Sequence, residues 1–205
     1  LEDANRVRKW STQARENAVW YQNEEVGFNY RMSNVIAGVV RGQYPHLEEH
    51  INAKKRIYER YKDGLKNLPI KMNPFDQERS TPNYWLSALI IDEDAMCKQV
   101  RGENEALYIS ESGKSCPTEI LKAISFINAE GRPIWKPMHM QPMYRMNESI
   151  GRDGTMRCRT NAYIAGGVKD VGADIFQRGV CLPSDNKMTE EEQRIIIEVI
   201  RACFE

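Results

Sequence analysis

A long amphipathic segment between about His46 and Leu68 restricts the fold of this chain more than any other feature. Its apolar side chains recur at steps of three and four residues: Leu47, Ile51, Tyr58, Tyr61, Leu65 and Leu68. Charged residues fill the positions between them, and this period is typical of a helix with one buried face. The sequence therefore predicts a helix over about residues 46–68 that packs against further structure.

Short apolar runs alternate with helical segments after residue 83. Residues 84–92 (YWLSALIID) and 179–183 (GVCLP) are predicted strands, whereas 95–109 is predicted to hold a short helix. Residues 145–173 are rich in Gly, Arg and Asn, and they are interpreted as a long loop. Alternation of this kind predicts an α/β architecture in which helices cover a small sheet.

Local signals place the remaining helices. Pro117 begins a predicted helix that Gly131 ends, and Thr189 forms a capping box with Glu192 for the last helix. The predicted inner face of that last helix consists of Ile195, Ile196, Val199, Ile200 and Cys203. Near the start of the chain, a helix is predicted over 3–17, with Val7, Trp10 and Ala14 on one face, and a second helix is predicted after a cap at Ser33.

Composition excludes several classes of function. Basic and acidic residues number 29 each, so no net charge attracts nucleic acid or an anionic membrane. No apolar run approaches the roughly 20 residues that span a bilayer. The five cysteines are scattered with no CxxC pair, which argues against zinc and favours reduced thiols in the cytoplasm.

Two motifs suggest chemistry but lack the residues that would complete it. The sequence GKS at 113–115 ends like a phosphate loop, yet Tyr108 stands where that loop needs its first glycine. His46 and His50 have the i,i+4 spacing of two metal ligands on a helix, but no third ligand lies nearby in sequence. We therefore predict neither a phosphate loop at GKS nor a metal site, and interpret the two histidines as part of a solvated helix face.

Residues 27–34 (GFNYRMSN) combine an amide, a guanidinium and a helix start. Asn29 and Arg31 precede the cap at Ser33, where backbone N–H groups and the helix dipole favour an anion. A guanidinium also suits phosphate or carboxylate. The alternative is an ordinary capped loop with an exposed arginine.

Residues 131–144 (GRPIWKPMHMQPMY) are too rich in proline to be regular. Lys136, His139 and Gln141 offer hydrogen-bond donors over a short span, and Trp135 offers a stacking surface. This combination suits an oxygen-rich ligand such as a phosphorylated sugar. A proline-stiffened plug of the core explains the same residues equally well.

Four segments, in order, resemble a known family: STQAR (11–15), VGFNYRMSNVIAGVVRGQ (26–43), RPIWKPMHMQP (132–142) and RGVCLPSDNKMTEEEQ (178–193). They are similar to the C-terminal half of the DegT/StrS-type sugar aminotransferases, pyridoxal-phosphate enzymes of the aspartate-aminotransferase fold. The WKPMH form most resembles the bacillosamine-type branch, which aminates nucleotide-linked 4-keto-6-deoxy sugars for bacterial glycans. The resemblance implies that residues 1–45 are a remnant of the large cofactor-binding domain with a linker, and that 46–205 form the small α/β domain.

The same resemblance implies roles for individual residues. The family's cofactor lysine would lie upstream of Leu1, so the chain itself would hold no catalytic residue and would be inactive alone. Asn29 matches an asparagine that reaches the cofactor phosphate of the neighbouring subunit in a homodimer, and Arg31 would serve substrate phosphates. His139 matches a histidine of the nucleotide-sugar site, with Trp135 and Lys136 beside it. The amino donor would be glutamate.

Two alternatives remain at this stage. In a dehydratase sibling of the family, histidine replaces the cofactor lysine. A non-catalytic module would keep the small-domain fold and bind nucleotide sugar without pyridoxal phosphate.

Overall fold

The computed structural model describes residues 1–19, 21–73, 75–76, 78–102, 105–144, 149–150, 156–157 and 170–205. These residues form two compact units, Leu1–Glu48 and Glu49–Glu205. The assignment of residues 1–45 to a larger cofactor-binding domain, and of 46–205 to a small domain, stays a prediction. In the described part of the chain, no helix is both long enough and apolar enough to cross a membrane.

The first unit contains helices α1 (Glu2–Ser11) and α2 (Asn34–Gln43), followed by a 3-10 turn. The Ser33 side chain accepts a hydrogen bond from the Ile36 N–H at 3.3 Å, which confirms the predicted cap. The helix predicted over 3–17 is wrong beyond Ser11. Gln13 and Ala14 have φ angles of 69° and 53°, because the chain leaves the helix there to pair with residues 23–30.

The second unit is built on a four-stranded antiparallel sheet. Its strands, together with those of two separate two-stranded ladders, are β1 (Ile70–Met72), β2 (Ala88–Ile91), β3 (Lys98–Arg101), β4 (Ala106–Ile109), β5 (Arg132–Pro133), β6 (Ser149–Ile150), β7 (Met156–Arg157) and β8 (Gly179–Cys181). The order in the main sheet is β1-β2-β8-β5, and β3 pairs with β4 as β6 does with β7. Ala88 and Arg132 both face Cys181 from opposite sides of β8.

Helices α3 (Leu47–Gly64), α4 (Pro117–Phe126), α5 (Val171–Arg178) and α6 (Glu190–Ala202) complete this unit. One hydrophobic core joins α3, α4 and α6 to the sheet; its largest fully buried members are Tyr61, Leu65, Leu89, Ile91, Ile120, Ile124, Leu182, Ile200 and Val180. The hydroxyl of Tyr61 donates to the Pro183 carbonyl at 2.9 Å, which satisfies its one polar atom. The predicted α/β class is therefore confirmed.

The helix predicted within 95–109 is wrong, because this segment forms the β3–β4 hairpin. Gln99 and Arg101 alternate with more exposed neighbours and reach other elements. The Gln99 side chain accepts from the Thr118 hydroxyl at 2.8 Å, and the Arg101 guanidinium donates to the Phe176 carbonyl at 2.6 Å. Burial lowers the pKa of Arg101. Contacts with residues that are distant in sequence thus favour strand β3 over the predicted helix, and local propensity takes no account of such contacts.

Helix ends and faces also differ in detail from the predictions. Helix α4 ends at Phe126, and Asn128 with φ of 59° reverses the chain before Gly131 is reached. On α6 the capping box is confirmed, but Ile195 is exposed and Gln193 is buried in its place. Gln193 is accommodated there because its amide donates to the Ile57 carbonyl of α3 at 2.8 Å.

The long loop predicted over 145–173 lies mostly outside the described residues. Within it the structure describes the β6–β7 pairing and residues 170–173. Helix α5 begins at Val171, so the predicted loop extended too far toward its C-terminal end.

Candidate functional site

The proline-rich segment after β5 is held against the sheet at its beginning. The Ile134 N–H donates to the Gly179 carbonyl at 3.4 Å. Gly179 has to lack a side chain, since a Cβ there would lie 2.5 Å from Ile134 Cγ1. Two 3-10 turns follow, Met138–Met140 and Pro142–Tyr144. The segment is therefore a defined wall beside β8, although it has no long regular element.

His139 lies against the start of helix α5. Its Nε2 atom is 2.5 Å from Oδ2 of Asp170, and both side chains are about one-quarter exposed, at 26% and 25%. The other carboxylate oxygen of Asp170 accepts the Ala173 N–H at 3.0 Å and so caps the helix. One carboxylate therefore lies against the imidazole and also caps the first turn of α5.

Trp135 stacks on Trp85, which precedes strand β2. The ring centroids are 5.9 Å apart and the planes are inclined by 29°. Both rings remain open to solvent, with 63% of Trp135 and 64% of Trp85 exposed. Lys136 follows Trp135 directly, and its carbonyl accepts from the Gln141 side chain at 3.3 Å. Aromatic surface, an ammonium group and an imidazole thus lie along one short segment.

Asn29 and Arg31 belong to the first unit. Asn29 is bridged to Thr12, and the Tyr30 N–H donates to the Ser11 carbonyl at 3.1 Å. This close pairing requires Gly27, because a Cβ there would lie 2.2 Å from the Ala14 nitrogen. Arg31 is exposed just before the α2 cap. The amide, the guanidinium and the helix N-terminus form a donor set whose chemistry fits a phosphate.

The other candidate motifs remain without a ligand-binding arrangement in the described residues. Lys114 of the GKS sequence lies in a tight turn and pairs with Glu111 at 2.7 Å, and Tyr108 stands where a phosphate loop needs its first glycine. Within the described ranges, no group of three His, Cys, Asp or Glu side chains could hold a metal ion.

The thiols at the α4 end of the unit are poor nucleophiles. Burial raises the pKa of Cys97 to about 12, and the neighbouring Cys116 thiol adds to that effect. Burial likewise raises the pKa of Cys203 to about 11. Thiols with such pKa values are protonated at neutral pH, so they serve as packing groups and not as reactive thiolates.

Comparison with known proteins places this geometry in a family. The DegT/DnrJ/EryC1/StrS aminotransferase family matches residues 2–201. The chain belongs to this family. The resemblance predicted from the four sequence segments is thereby confirmed.

Two relatives and one solved structure show how far the likeness extends. EpsN of Bacillus subtilis (strain 168), a candidate pyridoxal phosphate-dependent aminotransferase, is 34% identical over 200 residues, which are 97% of this chain and 43% of EpsN. GDP-perosamine synthase of Vibrio cholerae is 26% identical over 184 residues, which are 90% of this chain and 41% of that protein. The PLP form of Spr1654 from Streptococcus pneumoniae, a candidate sugar aminotransferase, has a TM-score of 0.69 at 15% identity and covers 98% of this chain and 43% of that one.

The structural likeness confirms the predicted fold of the aspartate-aminotransferase type. The chain spans less than half the length of the relatives it matches.

Sequence reasoning missed two residues of the candidate site in the second unit. Trp85 falls within the strand predicted over 84–92, but the strand itself begins only at Ala88. Asp170 was assigned to the loop 145–173. The signal for Asp170 was present, since an aspartate before the amphipathic segment VGADIFQR is typical of a helix cap.

Proposed function

We propose that this chain is part of a pyridoxal-phosphate-dependent aminotransferase. The complete enzyme transfers an amino group from glutamate to a nucleotide-linked 4-keto-6-deoxy sugar in bacterial glycan biosynthesis, and it works as a cytoplasmic homodimer. The observation that carries the proposal is the segment 132–144, in which Trp135 stacks on Trp85 and His139 contacts Asp170, in a member of an aminotransferase family.

The relatives support a sugar nucleotide as the substrate class. One relative is named GDP-perosamine synthase, a name that joins a nucleotide to a sugar. In this chain, the matching chemistry would come from Trp135, Lys136 and His139. An aromatic face suits a planar or apolar ligand surface, whereas the ammonium and imidazole suit phosphate and hydroxyl oxygens.

The cofactor phosphate would be held by Asn29 across the dimer, with the exposed Arg31 serving substrate phosphates. When bound, pyridoxal phosphate supplies the electron sink for moving an amino group. The cofactor lysine would lie upstream of Leu1, so the residues of this chain bind and orient. Asp170 would hold the His139 ring in one orientation, which leaves the rest of the imidazole to face the sugar.

The decisive experiment supplies the full-length protein with pyridoxal phosphate, glutamate and a nucleotide-linked 4-keto-6-deoxy sugar. The expected products are the amino sugar, identified by its mass, and 2-oxoglutarate in equal amount. A dehydratase would deplete the sugar without consuming glutamate, and its gene would encode histidine at the cofactor-lysine position. A non-catalytic module would bind the nucleotide sugar but show no cofactor absorbance. Turnover by the 205-residue chain alone would contradict the proposed division of roles.

A further inference from the structure

The backbone that presents Trp85 is unusual. Tyr84 has a φ of 53°, in the left-handed region that a tyrosine seldom adopts. The Asn83 side chain accepts the Trp85 N–H at 3.0 Å, which closes a turn at the same place. Backbone conformations of this kind persist only where the surroundings impose them, and they are concentrated at ligand sites.

The surroundings of Tyr84 do impose that turn. Its ring lies 5.3 Å from Tyr58 and 5.9 Å from Phe75, measured between centroids. Tyr58 belongs to helix α3 and is buried, so the cluster is attached to the core. Ser87, two residues after Trp85, is bonded to the residue that follows β8: its carbonyl accepts the Leu182 N–H at 2.8 Å. The chain is therefore anchored both before and after Trp85, while the Trp85 side chain itself stays exposed.

The chain around Trp135, which follows strand β5, is anchored in a similar way. The residue before it, Ile134, fits the space left by Gly179. Pro137, two residues later, lies against Gly172 of α5, where an added Cβ would be 3.3 Å from Pro137 Cγ. Two large aromatic side chains that are stacked, well supported and more than three-fifths exposed form a preorganised stack whose outer ring faces are open.

We infer that Trp85 and Trp135, the tryptophan pair, bind the nucleobase of the nucleotide-linked sugar by stacking. This assignment rests on the proposed function and adds Trp85 to the substrate-binding residues. Every nucleobase has a flat π-face, and stacking on an exposed indole is favourable. Lys136 is the next residue after Trp135 in the chain, and its ammonium would serve the diphosphate that is attached to the nucleoside.

The test uses the full-length holoenzyme with Trp85→Leu and Trp85→Phe, and with Trp10→Phe as a control. Trp10 belongs to the first unit, donates to Glu25 and is not part of either segment that carries the tryptophan pair. Trp85→Leu is expected to raise both the KM for the nucleotide sugar and the inhibition constant of the free nucleoside diphosphate at least about fivefold. The phenylalanine variant should keep most of the affinity, kcat should change little, and inhibition by inorganic pyrophosphate should not respond.

Each outcome separates this inference from the proposed function. If the enzyme aminates the sugar but the leucine and phenylalanine variants match the wild type, the base site is wrong and the function stands. If no amination occurs but nucleoside diphosphate quenches tryptophan emission in the wild type and not in Trp85→Leu, the base site stands and the function is wrong. If acrylamide cannot reach the tryptophan pair in the full-length protein, another surface covers it, and the inference is overturned.

Discussion

Replacement of Asp170 tests whether His139 and helix α5 form one unit of structure. Asp170→Ala removes the cap on Ala173 and the contact with His139 together. Loss of a cap costs about 0.5–2 kcal/mol, and loss of a partly exposed polar contact between two side chains costs up to about 1 kcal/mol. We therefore expect the free energy of unfolding to fall by roughly 1–3 kcal/mol in this variant.

Asp170→Asn separates the two contributions. Asparagine caps a helix as well as aspartate does, so this variant should lose no more than about 1 kcal/mol. Urea denaturation measures both values, and amide hydrogen exchange at Ala173 reports the cap directly. Ser33→Ala serves as the matched control, because it removes a helix cap in the first unit and should cost about 1 kcal/mol. Equal losses in the alanine and asparagine variants would refute the assignment of two separate roles to one carboxylate.

Three further predictions address the sheet, the buried thiols and the proposed site. Gly179→Ala should lower the free energy of unfolding by about 1–3 kcal/mol, because its Cβ would lie 2.5 Å from Ile134. The control Gly38→Ala, in the open interior of α2, should be neutral or stabilising by up to ~1 kcal/mol. Equal thermal midpoints of the two variants would contradict this prediction. The folded-state pKa of Cys97 is raised above its ordinary value, so the stability that the thiol contributes is complete below about pH 9 and is lost as the pH rises toward 12. In chemical denaturation, the free energy of unfolding of Cys97→Ala should therefore fall less steeply over that pH range than that of the wild type. Parallel curves for the two proteins would show that the Cys97 thiol does not cause the loss of stability. In the full-length enzyme, His139→Ala should raise the KM for the nucleotide sugar about 5- to 100-fold while cofactor absorbance stays unchanged, and an unaltered KM would return His139 to a purely structural role.

Features that depend on a few neighbouring residues were predicted correctly. The cap at Ser33 and the Thr189–Glu192 capping box each join residues only three positions apart, so a short stretch of sequence is enough to predict them. The buried strand at β8 follows in the same way from a short apolar run that ends at Pro183. The helix predicted within 95–109 failed because Gln99 and Arg101 are directed by partners on α4 and α5, which lie far away in sequence.

The candidate site was predictable only in part, for a similar reason. Trp135, Lys136 and His139 fall within one short segment, so composition and family resemblance could single them out together. Asp170 lies 31 residues after His139, and the intervening sequence contains no signal that the two would meet. The sequence likewise shows that positions 27 and 179 are glycines, but only the packing shows that other residues lie too close to Gly27 and Gly179 to leave room for a side chain.

The sequence by itself determined the class of the fold, the helix caps, the segments that identify the family and most of the residues proposed to bind substrate. Only the tertiary structure decided that Trp85 meets Trp135. Both β2 and β5 run antiparallel to β8, and Ala88 and Arg132 face the same residue, Cys181. Trp85 precedes one strand and Trp135 follows the other, so extended chains would carry them toward opposite ends of the sheet. Trp85 nevertheless stacks on Trp135, directly after a left-handed turn at Tyr84 that packs against Tyr58 of α3. Contacts between segments so far apart in sequence are not contained in any local pattern.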